Sequence, residues 1–222
     1  EAAQAAPELV AASLLHDLRG YPDNVIGTLI AARGMGNWTA FLFIVQLTRV
    51  APRSAIAAGL AIQAGSGFWM AHFDINLTEF DVFWSNYLQG LGQSVTFTPM
   101  TVMAFTTLPP HQITEGSAVF TLMRNFGSSL FISLSVLVLV RSTSINYSRL
   151  TEFITPFNTG AAFPLLPGSW DPQTAAGMLR LSNEMQRQAA MIGYINAFYM
   201  LAFTAAAAVP LALLMRNAPK GR

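Results

Sequence analysis

The amino-acid sequence predicts an all-α integral membrane protein with five transmembrane helices. Five apolar stretches make up most of the 222 residues, at positions 25–47, 54–73, 82–108, 116–140 and 189–215. Each stretch has the roughly 20 residues with which a helix crosses a hydrocarbon core about 30 Å thick. The chain is also 53% hydrophobic and only 10% charged, unlike an ordinary soluble domain.

An odd number of spans places the two ends of the chain on opposite sides of the membrane. The sequence begins with Glu1 rather than with Met. We therefore expect the chain to be the C-terminal piece of a larger membrane protein.

The orientation should follow the Lys and Arg residues in the segments between spans. The 48–53 loop and the tail at 216–222 carry five of them, and residues 1–24 together with the 141–188 segment carry another five. The count is therefore a tie. Because the first set lies in short segments close to the helix ends, we expect the C-terminus to be cytoplasmic.

Composition and spacing argue against several classes of protein. A net charge of +1 offers no basic surface for nucleic acid. There is no cysteine, and His16, His72 and His111 lie far apart, so we expect no metal site. Each histidine lies at or beyond the end of a predicted span, which leaves no base for a Ser–His–Asp site inside the membrane. We therefore expect no enzymatic activity and no bound cofactor.

The first segments follow from turn and capping chemistry. Residues 1–24 are mixed in polarity and should form the end of a preceding helix and a non-cytoplasmic loop. Asp23 or Asn24 can cap the first complete span, and Ser54 can cap the second. Aromatic side chains gather at both ends of the next loop, as in an interfacial belt. They are Phe68, Trp69, Phe73, Phe80, Phe83 and Trp84.

The later segments are set by proline and by polarity. Pro99 should bend the third span, because proline removes a backbone hydrogen bond. Residues 141–188 are too polar to span and should form a non-cytoplasmic loop with an amphipathic helix. Asp171 and Pro172 look like the N-cap and first position of that helix, which can continue into the last span. Residues 216–222 form the tail.

Small residues recur four positions apart in two spans. They are Gly36 and Ala40 in the first, and Ala57, Ala61 and Gly65 in the second. In lipid, this spacing lets helix backbones approach closely. An alanine-rich helix also produces the pattern by chance, so both interpretations stay open.

One face of the third span is uncharged and largely polar. Its residues recur at steps of three or four, and they are Asn86, Gln89, Gln93, Thr96 and Met100. Such a face must point at other helices or at a wet cavity. Hydrogen bonds between helices would explain one or two amides, whereas a cavity wall would explain all five positions. Our hypothesis is that the five residues line a substrate cavity.

Two arginines lie about eight residues inside predicted spans, Arg33 in the first and Arg124 in the fourth. An arginine at that depth is costly unless it faces protein or water. Neither has an acidic residue three or four positions away, and no Asp or Glu lies deep in a span. Snorkelling toward the headgroups is the alternative to a buried role. We assign an interface or gating role to the two arginines and to Asn37 and Asn125.

Three segments carry a family pattern in a fixed order. Residues 30–36 read IAARGMG, with Ala32 where the family has proline. Residues 89–110 contain QGLG, FTPM and LPP, and residues 116–129 contain GSA and RNFGSS. Residues 150–158, LTEFITPFN, are similar to the loop before the family's last span. Together they resemble the EmrB/QacA-type drug:proton antiporters, the fourteen-span branch of the major facilitator superfamily.

The resemblance implies a partial C-terminal bundle of a major facilitator superfamily transporter, the last five of its six helices. It implies a proton-coupled multidrug exporter of the inner membrane that works by alternating access, with a cytoplasmic C-terminus. The third span would line the cavity, and the first and fourth would lie between the two halves of the transporter.

The same resemblance names partners and an energy source. The partners would be the lipid bilayer, the missing N-terminal half and, in a tripartite system, a periplasmic membrane-fusion protein. The energy would come from the proton gradient. The acids that carry protons in such exporters lie mainly in the half that is missing here.

Two other functions are compatible with the sequence. A transporter of the same fold would export a lipid, a siderophore or a metabolite, and nothing in the sequence distinguishes it. A structural membrane subunit held by helix packing would tolerate Gln89→Leu and Gln93→Leu, whereas a cavity wall predicts an altered substrate profile.

Overall fold

The computed structural model of the protein describes residues 2–106, 108–153 and 174–214. Within these residues there are six α-helices, one 3₁₀ turn at Pro110–Gln112 and no strand. The helices are α1 (Ala2–Arg19), α2 (Asp23–Val50), α3 (Pro52–Met70), α4 (Glu79–Thr106), α5 (Ile113–Phe153) and α6 (Ala175–Leu214). The prediction of an all-α chain is confirmed.

Three helical segments of the described chain are long and apolar enough to cross a membrane. They are Asp23–Val50, Pro110–Glu152 and Ala175–Leu214. These segments correspond to α2, α5 and α6, whereas α3 and α4 are not among them. Amide and hydroxyl side chains lower the hydropathy of α4, and glycine, serine and glutamine do the same in α3. Hydropathy and length therefore support three of the five predicted spans.

The helices pack in an order that differs from their order in the chain. Helix α4 lies between α2 and α3, α3 packs against α6, and α6 packs against α5. Helix α1 packs mainly against α5 and α6. The largest apolar core joins α1, the end of α3 and α6, and it includes Leu14, Met70 and Phe198. The fold therefore places α4 in contact with the two helices that precede it in sequence, α2 and α3.

Glycines let α2 and α3 approach the backbone of α4 closely. A β-carbon at Gly90 would collide with the backbone carbonyl group of Arg33 on α2. A β-carbon at Gly92 would lie 2.8 Å from the carbonyl oxygen of Gly59 on α3. Because the backbones touch, side chains of α2 and α3 reach the polar face of α4 directly.

The two small-residue patterns have different outcomes. Gly36 and Ala40 are buried, and a β-carbon at Gly36 would collide with the carbonyl oxygen of Tyr87 on α4. Ala61 and Gly65 are exposed, and nothing lies within 4 Å of a β-carbon built at Gly65. The first pattern therefore marks a helix contact, whereas the second does so only at Ala57, which is buried in a cluster with Ala212.

Both capping predictions are wrong. Helix α2 begins at Asp23 itself, after Pro22, and no side chain caps it. Helix α3 begins at Pro52, and the Ser54 hydroxyl donates back to the carbonyl oxygen of Ala51 at 2.9 Å. Proline is the N-cap residue of α2 and the first helical residue of α3, and neither helix has a hydroxyl or carboxylate cap.

Helices α5 and α6 are longer than the spans predicted for them. Helix α5 continues past residue 140 to Phe153, and α6 begins at Ala175, before the predicted start at 189. Asp171 and Pro172 lie outside the described residues, as do residues 154–173 and the tail after Leu214. The continuation of α5 beyond residue 140 was not predicted, whereas the continuous α6 agrees with the prediction of a helix that runs into the last span.

Candidate functional site

The polar face of α4 makes its deepest contact with α3. The Gln63 side-chain amide donates from Nε2 to the hydroxyl oxygen of Thr96 at 3.1 Å, and both residues are buried. The Thr96 hydroxyl in turn donates to the carbonyl oxygen of Gly92 at 2.9 Å. Gln89 donates from Nε2 to the backbone oxygen of Gln63 at 3.4 Å. Interhelical hydrogen bonds therefore occupy two of the predicted cavity residues, Gln89 and Thr96.

The two ends of the predicted stripe have other surroundings. Asn86 is buried, and its side-chain amide donates to the carbonyl oxygen of Val82 on its own helix at 2.9 Å. Met100 is partly buried and packs with Ile56 of α3 and Ala212 of α6. The structure therefore surrounds both residues with protein.

Gln93 faces α2 and contacts Arg33. Arg33 donates from Nε to the Gln93 side-chain oxygen Oε1 at 3.1 Å. Its Nη1 lies 3.4 Å from the Glu8 carboxylate oxygen Oε2 on α1. Only 7% of the Arg33 side chain is exposed, against 48% of the Glu8 side chain. Arg33 thus joins α1, α2 and α4. Its charged group is buried against protein, as the buried role requires, and does not extend to the surface as snorkelling would require.

Two further hydrogen bonds join α2 to α4. The Ser94 hydroxyl donates to the Asn37 side-chain oxygen at 3.0 Å. The hydroxyl groups of Thr39 and Tyr87 lie 2.9 Å apart. Arg33, Asn37 and Gln93, three of the predicted site residues, therefore lie in the α2–α4 contact.

Arg124 and Asn125 lie elsewhere, on α5. Arg124 is partly buried and Asn125 is exposed. The neighbouring apolar side chains Leu122, Met123 and Phe126 are each more than half exposed. This part of α5 therefore presents an uncovered apolar face. None of the contacts described above between the polar face of α4 and another helix involves α5.

Five side chains of these contacts were not predicted from the sequence: Gln63, Glu8, Ser94, Thr39 and Tyr87. Gln63 is a single amide among small and apolar residues of α3, and its depth in a predicted span was the available signal. Glu8 was assigned to the end of a preceding helix, and it lies 25 positions from Arg33. A search for acidic partners within one turn of Arg33 could not find a partner on another helix.

The polar contacts form two sets, one on each side of α4. On the α3 side the groups are neutral, buried and hydrogen-bonded to one another. On the α2 side a buried guanidinium group contacts a half-exposed carboxylate and an amide. Such a charge can respond to a change in its surroundings, whereas the neutral set holds helices together.

Sequence comparisons find relatives among exporters. "Multidrug export protein EmrB" of Haemophilus influenzae is 28% identical over 107 residues, which cover 48% of this chain and 21% of that protein. The protein of the same name in Escherichia coli is 25% identical over 122 residues, covering 54% and 23%. "Fatty acid resistance protein FarB" of Neisseria gonorrhoeae is 23% identical over 150 residues, covering 66% and 29%. No family model matches the chain.

These relatives confirm the resemblance indicated by the sequence motifs. The chain is similar to the EmrB multidrug export proteins over about half of its length, and together with the apolar helices this similarity supports a multi-pass, all-α membrane protein. The chain spans about a fifth of the length of the EmrB proteins that it matches.

Proposed function

We propose that this relative of EmrB-type exporters forms part of a multidrug efflux transporter that is proton-coupled and works by alternating access. The similarity to two proteins named as multidrug export proteins is the observation that carries the proposal. Five helices, α2 to α6, would cross the inner membrane and leave the C-terminus in the cytoplasm. The remaining part of the transporter would supply the second half about which the helices rock.

The arrangement of α4 supports this role. An exporter needs a polar helix inside the membrane whose groups are held by protein until a substrate arrives. Gln93 is only partly buried and lies against a charged partner, Arg33. Gln89 is buried and hydrogen-bonded to α3. Of the five predicted cavity residues, we therefore propose that Gln93 contacts substrate most directly.

Drug resistance of cells that express the complete protein tests the proposal. We expect expression in an efflux-deficient strain to raise resistance to several unrelated drugs and to lower the amount of drug that the cells accumulate. A protonophore should abolish this decrease in drug accumulation. Gln93→Leu should change the relative resistance to different drugs, whereas Gln89→Leu should reduce resistance to all of them together. Wild-type resistance profiles for both variants would favour a structural subunit and contradict transport through this site.

A fatty-acid exporter is the second candidate. The FarB protein, named for fatty acid resistance, aligns with 66% of this chain, more than the EmrB proteins do, although at lower identity. The same strains exposed to long-chain fatty acids separate the two functions. Protection against fatty acids without protection against drugs would replace the first proposal by the second.

A further inference from the structure

A cleft of about 440 Å³ opens between α5 and α6, away from the contacts of α4. This volume is within the range of small-molecule sites, roughly 300–1,000 Å³. Eight side chains line the cleft: Leu139, Val140, Thr143, Ser144, Tyr147, Gln186, Ala190 and Tyr194. None of these residues belongs to the proposed transport site.

The two ends of the cleft are closed by contacts between the helices. At one end the helices touch, because a β-carbon at Gly193 would lie 2.9 Å from the backbone oxygen of Leu139. At the other end the hydroxyl groups of Tyr147 and Ser182 lie 3.1 Å apart. The cleft is therefore limited in length along the helix pair, and it is open at the surface, where Val140, Ser144 and Gln186 are exposed.

Polarity changes along the cleft in one direction. Leu139, Val140 and Ala190 belong to the apolar spans predicted from the sequence, and they line the end near Gly193. Ser144 and Gln186 lie beyond those spans, toward the Tyr147 end. Within the described part of the chain, no hydrogen bond occupies the side chains of these last two residues. An apolar tail and a hydrogen-bonding head would both find partners here.

The cleft carries no charge of its own. All eight lining side chains are neutral types at neutral pH. The nearest acid in contact with the lining is Asp17 of α1, whose Oδ2 accepts a hydrogen bond from the Tyr194 hydroxyl at 3.0 Å. The other oxygen, Oδ1, lies 3.0 Å from Nδ1 of His16. The Asp17 carboxylate keeps its charge, but 59% of its side chain is exposed, so water and salt screen that charge from the cleft.

We propose that this cleft binds an uncharged single-chain amphiphile, with a hydroxyl-bearing head such as glycerol and one acyl chain. The head contacts Ser144 and Gln186, and the first carbons of the chain contact Leu139, Val140 and Ala190. The direction of the ligand rests on the proposed membrane placement of α5 and α6, which puts the hydroxyl-rich end at the non-cytoplasmic surface. Binding itself does not require transport.

Photo-crosslinking in phosphatidylcholine nanodiscs tests the site in the complete protein. The probe is a monoacylglycerol with a diazirine in its acyl chain, and mass spectrometry locates the crosslinks. We expect crosslinks in residues 139–147 and 186–194, competed by excess 1-decanoylglycerol. Decanoate and decyltrimethylammonium should compete at least tenfold more weakly. Equal competition by either charged amphiphile, or by a two-chain diacylglycerol in the bilayer, would overturn the assignment.

Variants connect the crosslinks to the cleft. Ala190→Phe fills the cleft and should lower crosslinking at least tenfold, whereas the matched control Ala207→Phe, at an exposed position of the same helix, should leave it unchanged. Gln186→Leu keeps the volume and should weaken competition by 1-decanoylglycerol roughly fivefold, the equivalent of one hydrogen bond. Unchanged crosslinking in Ala190→Phe, or unchanged competition by 1-decanoylglycerol in Gln186→Leu, refutes the site. A protein that exports drugs and fails this test leaves the proposed function standing, and a protein that binds the probe without exporting drugs leaves the cleft standing.

Discussion

Replacing Glu8 by Gln should lower the free energy of unfolding by about 1–2 kcal/mol. The Arg33 and Glu8 charges lie 3.4 Å apart, and two unit charges at that distance attract by about 5 kcal/mol at an effective dielectric constant of 20. Glu8 is 48% exposed, so screening reduces this value toward the range of about 0.2–1 kcal/mol measured for surface pairs. The loss should nevertheless exceed that of a surface pair, because Glu8→Gln leaves the buried charge of Arg33 without its carboxylate partner.

Arg33→Met is the informative partner in a double-mutant cycle. It removes the buried charge and keeps an unbranched side chain, so it should cost less stability than Glu8→Gln. Thermal unfolding of the purified complete protein in detergent, followed by tryptophan fluorescence, measures each variant. We expect a coupling energy of about 1 kcal/mol between the two substitutions. Additive effects, or a larger loss for Arg33→Met than for Glu8→Gln, would refute the role assigned to the ion pair.

Arg33 and Arg124 also have a predicted role in transport, which measurements of unfolding do not test. Arg33→Ala and Arg124→Ala in the complete protein should reduce drug efflux with little loss of membrane insertion. Efflux is measured in cells and insertion by the amount of protein in the membrane fraction. Wild-type resistance from both variants would contradict the interface or gating role.

Three further predictions follow from packing, topology and charge. Gly90→Ala should destabilise the protein by about 1–3 kcal/mol in thermal unfolding because its β-carbon meets the α2 backbone, whereas Gly65→Ala, with open space around it, should be neutral or stabilising. The 222 residues contain no cysteine, so in a background free of other cysteines an impermeant maleimide added outside should label Asn76→Cys and not Ser54→Cys if α3 crosses the membrane. The hydrogen bond that His16 makes to the Asp17 carboxylate raises the pKa of His16 above its usual value. This contact should therefore add stability below about pH 6.5, and that stability should be lost as pH rises through the raised pKa. Asp17→Asn should restore the ordinary pKa in an NMR titration.

Apolar runs in the sequence located the helices because a membrane helix needs a long apolar run. They located the end of α5 less well, because polar residues continue that helix beyond the apolar run. A helical pair can bury one face of such an extension, as the Tyr147–Ser182 contact shows. Hydropathy reports insertion into lipid and does not report this packing.

The sequence placed the candidate site on a polar face of α4, but the partners of its side chains could not be predicted. The spacing of Gln89, Gln93 and Thr96 places them on one side of a helix, and it leaves open which neighbour each one meets. That choice depends on where glycines allow close approach, and Gly90 and Gly92 admit different helices on the two sides. Gln93 therefore meets Arg33 on α2, while Thr96 meets Gln63 on α3.

Arg33 and Arg124 lie differently relative to the uncovered faces of α2 and α5, so their predicted gating roles differ. Trp38 is 80% exposed on α2, and Phe126 is largely exposed on α5. Arg33 points from α2 into the described bundle and contacts Gln93, so it can affect a second half of the transporter only by shifting α2 against α4. Arg124 lies next to the uncovered face of α5 and can act there directly. Loss of efflux in Arg33→Ala should therefore be accompanied by a change in α2–α4 packing, whereas loss of efflux in Arg124→Ala should not.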